Sequence, residues 1–229
     1  MTEFLVVIAI LGVIAAMTLP GLLRYVDEQK TIRTLSIAYT KIQQSFKYGK
    51  LEHGSVVGWV SGTDPDSSKS LLDKMLYNVK RSATCTGDES EHAKCGWIFP
   101  TKYISGAEFS KLNAQAANFA STQFIDGIVV GVVAKLNLSQ CTYPTTAHGV
   151  GFIDINGQNG PNRLGVDIFA FRITEDGLEP FGSVSYTAGS WFSGAARNEC
   201  ATLSPGNCKT YGVGCTSIVL NDKNMDYLH

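Results

Sequence analysis

The sequence of 229 residues lacks the local patterns that mark common enzymes. It has no HExxH pair, no GxSxG nucleophile elbow and no GxxxxGK[ST] phosphate loop. The four histidines, His53, His92, His148 and His229, lie far apart in polar stretches and read as solvated surface residues. The three tryptophans, Trp59, Trp97 and Trp191, are single and separated, which suits core or interface positions better than a sugar-binding platform. No segment repeats. Charge is sparse as well: 17% of residues are charged and the formal net charge is −1. That balance argues against a general nucleic-acid surface. It leaves open a local basic patch, or one formed by packing subunits.

The scarcity of charge is concentrated at one end. Phe4 to Leu23 reads FLVVIAILGVIAAMTLPGLL, without a charge, and Arg24 closes the run. About 20 apolar residues suffice for a helix to cross the hydrocarbon core of a bilayer. One acid, Glu3, stands immediately before the run. A carboxylate beside a membrane-spanning stretch is costly and usually has a task. A secretory signal peptide has a basic start, a shorter apolar stretch and a small-residue cleavage site. Here no Lys or Arg precedes the run, and no A-x-A site ends it. A generic anchor accounts for the run but not for Glu3, nor for the helical pattern that continues past Arg24.

Beyond Arg24 the pattern becomes amphipathic. Ile32, Leu35, Tyr39, Ile42 and Phe46 recur at spacings of three and four, which places them on one helical face. Arg24, Lys30, Arg33 and Lys41 serve the wetter side. One helix therefore has two solvents, lipid or other helices for its first half and a protein core for its second. The spacing predicts an end near Gly49, so about 48 residues spanning roughly 72 Å. Pro20 removes a backbone donor and predicts a kink or local opening, and Gly12 is a second soft point.

The N-terminal stretch resembles the first helix of type IV pilins and of the related type II secretion pseudopilins. Glu3, the VVIAILGVIAA core with Gly12, and Leu19-Pro20 carry the resemblance over about the first 25 residues. In that family the glutamate lies four residues after a mature, usually methylated Phe. Only two residues precede Glu3; the simplest reading of this departure is that Met1 is internal and the mature chain starts two residues upstream, and the alternative is a genuinely shorter N-terminus. The resemblance implies Glu3, Gly12 and Pro20 as assembly residues, with stretched backbone just before Pro20 in a fibre. It also implies insertion in the bacterial inner membrane, cleavage by a prepilin peptidase, and extraction by an assembly machinery into an extracellular filament of identical subunits. Residues 1–24 are then the membrane and filament-core half, and 25–229 the head domain.

The rest of the chain reads as one α+β head, in which the long helix packs on an antiparallel sheet. Leu51 to Ser68 is loop-like. Ser70 to Lys80 reads as a short helix with Ser68 or Ser70 as its cap. Lys102 to Thr122 is ambiguous, with a weak helical turn around Phe109 to Ala117. Strands are expected at 127–134, 150–155, 167–174, 178–181 and 216–220. In the third of these, Ile168, Ala170 and Arg172 alternate against Phe169, Phe171 and Ile173. The segments DINGQNGPNRLGVDIFAFRITEDG and CTSIVLNDKNMDYL also resemble parts of large pilin-like proteins, less closely than the helix does.

Six cysteines, Cys85, Cys95, Cys141, Cys200, Cys208 and Cys215, all follow the apolar run, which fits disulfides in an oxidising compartment. Cys85 and Cys95 flank a short polar segment and are expected to pair. Cys200, Cys208 and Cys215 cluster, so at least one bond is expected among them, leaving Cys141 the remaining partner. Zinc on Cys85, His92 and Cys95 matches no common ligand spacing. Asp154, Asn156 and Asp167 offer the oxygen ligands that calcium prefers, but the closing Glu of an EF-hand is absent. The competing reading is a long turn shaped by Asn156-Gly157 and Gly160-Pro161-Asn162. No cofactor is required. Asn137-Leu138-Ser139 matches the N-x-S glycosylation pattern, which recurs often by chance.

Overall fold

The computed structural model describes residues 2–135, 147–183 and 208–229. Cys141, Cys200, Trp191, the Asn137-Leu138-Ser139 match and most of the Gly- and Ser-rich stretch after Ser183 lie outside them. Helix α1, Thr2–His53, runs for 52 residues, about 78 Å at 1.5 Å per residue. Its second half buries Ile32, Leu35, Ala38, Ile42 and Phe46, on the stripe that the spacing predicts. Tyr39, half-buried on the same side, donates its hydroxyl to Leu178 O at 2.5 Å. The helix continues past Gly49 because that glycine is a crossing point: a Cβ there would overlap the Lys74 carbonyl of the next helix. It stops where Gly54 takes φ +74° and returns its N–H to Lys50 O, a left-handed glycine closing the last turn.

Helix α2 spans Pro65–Met75, five residues earlier than the serines suggest. Asp64 is the cap, its carboxylate accepting from Ser67 N at 2.8 Å, and Pro65 occupies the first turn. Proline lacks the N–H that this position leaves unpaired in any case. Strand β1, Cys85–Thr86, and helix α3, Glu89–Lys94, fill the loop between Cys85 and Cys95. Helix α4, Ser110–Asn113, supplies the weak turn expected there. Strands β2 Phe119–Gln123, β3 Val129–Ala134, β4 Ala147–Asp154, β5 Ile168–Thr174 and β6 Leu178–Pro180 complete a six-stranded sheet in sequence order, every neighbour antiparallel.

Both faces of the sheet are covered. Phe169, Phe171 and Ile173 join Val130, Val132 and Ile153 in the core beneath α1 and α2. Ile168 and Ala170 join Val129, Val133 and Phe152 in a second core closed by Trp97 and Leu112. The alternation in β5 is therefore a division between two cores. Arg172, buried in this sheet, pairs with Glu179 at 3.3 Å. Gly131 and Gly151 leave room for the rings of Phe119 and Phe171, which lie where a Cβ would stand. Gly151→Val is expected to lower stability by about 1–3 kcal/mol through overpacking, seen as a lower melting temperature with unchanged circular dichroism below it. An unchanged melt would mean that the Phe171 ring moves away without cost.

The last expected strand, Thr216–Leu220, is instead helical. Helix α5 covers Cys208–Tyr211 and α6 covers Cys215–Asn221. Beta-branched residues there are overruled by their setting. The sheet edge beyond β6 is already served: Ala170 N donates to Thr216 Oγ1 at 3.0 Å, and Ser217 N to Phe181 O. A turn of helix places both groups there, whereas local propensity is a weak preference.

Candidate functional site

The site is built on α1 before it reaches the head. From Val6 to Tyr25 every side chain is exposed, and the first buried residue is Ile32. Eleven large apolar side chains lie open between Val6 and Leu23: Val6, Val7, Ile8, Ile10, Leu11, Val13, Ile14, Met17, Leu19, Leu22 and Leu23. Among the described residues this is the one helix long and apolar enough to cross a membrane, and none of its most apolar window is buried. Among the described residues the apolar half lies on no face of the head and has nothing to pack against.

A collar marks the transition. Glu28 Oε1 lies 2.7 Å from His229 Nε2, Lys223 Nζ donates to Ser36 Oγ at 3.0 Å, and Lys209 Nζ donates to His229 O at 3.2 Å. The C-terminal segment thus straps the base of the helix to the head. Tyr227 anchors that strap from inside, its hydroxyl donating to Gly165 O at 2.6 Å. Of the assembly residues, Glu3 lies in the first turn of α1, and its side chain falls outside the described residues. Gly12 has nothing within 4 Å of where a Cβ would be. Pro20 lies inside unbroken helix, so the expected opening is not present in the single chain. One lost hydrogen bond is tolerated where intact turns flank it. Thr18 Oγ1 adds a bond to Ile14 O at 3.0 Å in the preceding turn.

The cysteines form two bonds among the described residues, Cys85–Cys95 and Cys208–Cys215, and no described cysteine is free. Zinc on Cys85 and Cys95 is thereby excluded. Each bond closes a short loop and contributes about 2–4 kcal/mol in the chain-entropy account. Cys141 and Cys200 lie outside the described residues.

Asp154, Asn156 and Asp167 do come together. Asp154 Oδ1 accepts from Asn156 N at 3.1 Å and Gly157 N at 2.8 Å. Asp167 accepts from Asn162 N at 2.7 Å and Arg163 N at 2.6 Å. The carboxylates brace the turn from 155 to 167 through its own backbone. Burial pushes the Asp154 carboxyl up to about 8, its two backbone bonds oppose this, and the neighbouring Asp167 adds to it. Asn156 turns its Nδ2, not its oxygen, to Asp167 Oδ2 at 3.4 Å, and its Oδ1 is buried without a partner. Among the described residues no three His, Cys, Asp or Glu side chains form a metal cluster. This arrangement fits the turn-shaping reading better than a calcium cage. A chelator is expected to leave the melting temperature unchanged. A calcium-dependent rise, abolished by Asp167→Asn, would make the loop a metal site.

The Asp154 carboxyl also has a pH consequence. Its folded value lies above that of the unfolded chain, so its contribution to stability is complete near pH 4 and is lost as pH rises through about 8. Asp154→Asn keeps an oxygen for Asn156 N and Gly157 N. It is expected to raise the melting temperature relative to wild type at pH 8 and to narrow that difference near pH 4, measured by thermal scans across the range. A pH-independent difference would remove the buried carboxylate as its cause.

Two histidines differ from the surface reading. His92 is fully buried, with Nδ1 2.8 Å from Ser121 Oγ and Nε2 3.0 Å from Ala116 O. The carbonyl accepts, so Nε2 carries the proton and the serine hydroxyl donates to Nδ1. Burial holds its pKa below the usual range. A sealed Ser–His pair without access for a substrate ties β2 to α3 and is structural. His148 is nearly buried, 3.8 Å from Glu175. Glu175 also pairs with Lys50 and accepts from Val56 N, so it joins α1 to the β5–β6 turn. Trp59 and Trp97 are core residues, as expected. The sequence signal missed for His92 is its place within a capped helix, where Asp88 accepts from Ser90 N and Glu91 N. In comparisons with known proteins, no family model, curated protein or solved structure matches the chain.

Proposed function

We propose that the chain is a structural subunit of an extracellular helical filament similar to a type IV pilus, held in the bacterial inner membrane before assembly and polymerising through the apolar half of α1. The observation that carries this reading is the complete exposure of Val6 to Leu23 on a helix whose continuation is the core of a folded head. A membrane solves that exposure for one chain. A bundle of identical helices solves it outside a membrane, and a repeated head-to-tail contact that does not close gives a filament. Two disulfides in the head agree with an oxidising side of the membrane. The resemblance of Glu3, Gly12 and Pro20 to the pilin pattern supports a filament over a plain anchor.

Within the same class, a secretion pseudopilin or a minor pilin at a fibre tip shares every one of these features. A membrane-anchored secreted enzyme or binding protein is the reading from another class, and it leaves the Glu3–Gly12–Pro20 spacing without a role. The test is shearing of producing cells, followed by electron microscopy and peptide identification of the released material. Fibres composed of this chain are expected. A chain that stays monomeric in the membrane fraction overturns the reading.

A further inference from the structure

Asparagine or aspartate precedes glycine at four places in the chain: Asp126-Gly127, Asn156-Gly157, Asn159-Gly160 and Asp176-Gly177. At such a pair the glycine nitrogen can attack the side-chain carbonyl carbon of the residue before it. The reacting groups are already tethered, so the step is intramolecular. Glycine has no side chain to shield its nitrogen. The attack needs that nitrogen free, and an N–H held in a hydrogen bond must first be released.

Three of the four nitrogens are held. Gly127 N donates to Phe124 O at 3.0 Å, Gly157 N to Asp154 Oδ1 at 2.8 Å, and Gly177 N to Thr174 Oγ1 at 3.2 Å. Gly157 is also buried, with the Gly127 carbonyl 3.0 Å from where its Cβ would stand. Gly160 differs on every count. Its N–H has no acceptor among the described residues. It is exposed, and nothing lies within 4 Å of where its Cβ would be. Asn159 is exposed too, and one bond holds its side chain, Nδ2 donating to Asn156 O at 3.1 Å. The turn between β4 and β5 thus carries two Asn-Gly pairs, one sealed and one open.

We propose that Asn159 is a site of spontaneous deamidation through a cyclic imide formed with Gly160. The Gly160 nitrogen bonds to Asn159 Cγ, the Cγ–Nδ2 bond breaks, and the proton of the attacking N–H leaves with the side-chain amide nitrogen as ammonia. Water then opens the imide at one carbonyl to give aspartate, or at the other to give isoaspartate. Water is the only co-reactant. The inference does not depend on the filament reading. Its consequence lies in the turn itself. Nδ2 is the donor that ties Asn159 to Asn156 O, and either product sets an acceptor oxygen against that carbonyl. Isoaspartate also adds a methylene to the backbone of the turn that Asp154 and Asp167 brace. The head ages at this turn first.

The test incubates the purified full chain in detergent at neutral pH, folded and, in parallel, in denaturant. Peptide mass spectrometry follows the amide-to-acid mass gain at Asn156 and at Asn159, and labelling by an isoaspartyl methyltransferase identifies the isoaspartate. In the folded chain Asn159 is expected to convert roughly ten-fold faster than Asn156 or more, the order of the opening factor for one hydrogen bond to a carboxylate. In denaturant the two rates are expected to converge. Gly160→Ala is expected to slow conversion at Asn159 severalfold with the melting temperature unchanged, because the space is open and Gly160 is not in the left-handed region. Equal rates at the two asparagines in the folded chain, a slower Asn159, or no conversion there while the denatured chain converts overturns the proposal. Conversion of a folded Gly160→Ala chain at the wild-type rate overturns it as well. The comparison of folded and denatured wild type decides the matter whether or not that variant folds.

Discussion

A chain from which residues 2–24 are removed is expected to leave the membrane fraction entirely, to form no fibres, and to be recovered as a soluble folded monomer. The deletion removes the eleven exposed large apolar side chains and none of the buried ones, whose series starts at Ile32. Each such side chain is worth about 1.5–3 kcal/mol when fully withdrawn from water. Together they amount to the order of tens of kcal/mol of driving force for insertion or bundling, and among the described residues no other helix is long and apolar enough to replace them. The head keeps Ile32 to Phe46, both cores and the Cys85–Cys95 and Cys208–Cys215 bonds. It also keeps the collar through Glu28 and Ser36. Membrane fractionation, gel filtration and circular dichroism read the result. Retention in the membrane would reveal an anchor elsewhere. An unfolded product would mean that the apolar half contributes to the head.

The second large effect is expected from Glu3→Gln, which should reduce incorporation into fibres ten-fold or more while insertion in the membrane and folding of the head are kept. No Lys or Arg lies within the next 20 residues of the same helix. A lone carboxylate among apolar helices must be neutralised by a proton or a cation. A neighbouring subunit's N-terminal amine is the cation that the pilin resemblance implies, and such a pair also fixes the register between copies. Glutamine keeps the size of the side chain and removes the charge, so insertion loses nothing. Membrane and sheared-fibre fractions of variant and wild type give the comparison. Equal fibre yield, with the variant identified in the fibres, would remove Glu3 from assembly.

Much of the architecture was legible because it depends on periodicity. The apolar half of α1 needs only composition, and its second half only the spacing from Ile32 to Phe46. The division of β5 into Phe169, Phe171 and Ile173 against Ile168 and Ala170 is a period of two, and the fold places the two sets in different cores. Legibility failed where a distant partner decides. Strand β2 reads FASTQ, too polar to announce itself, yet it is buried between β1 and β3. Thr216 to Leu220 has strand-forming residues and is helical because Ala170 and Phe181 need its polar groups. His92 sits in a polar sequence and is sealed by Ser121 and the Ala116 carbonyl, more than 20 residues away.

The central claim is that the apolar half of α1 is the contact between subunits, and a helical reconstruction of sheared filaments by electron cryo-microscopy tests it most directly. The account predicts Val6 to Leu23 of every copy bundled at the filament axis and shielded from solvent, with the heads outside and their disulfides intact. Filaments joined by the heads alone, with the apolar halves absent from the axis, would contradict it.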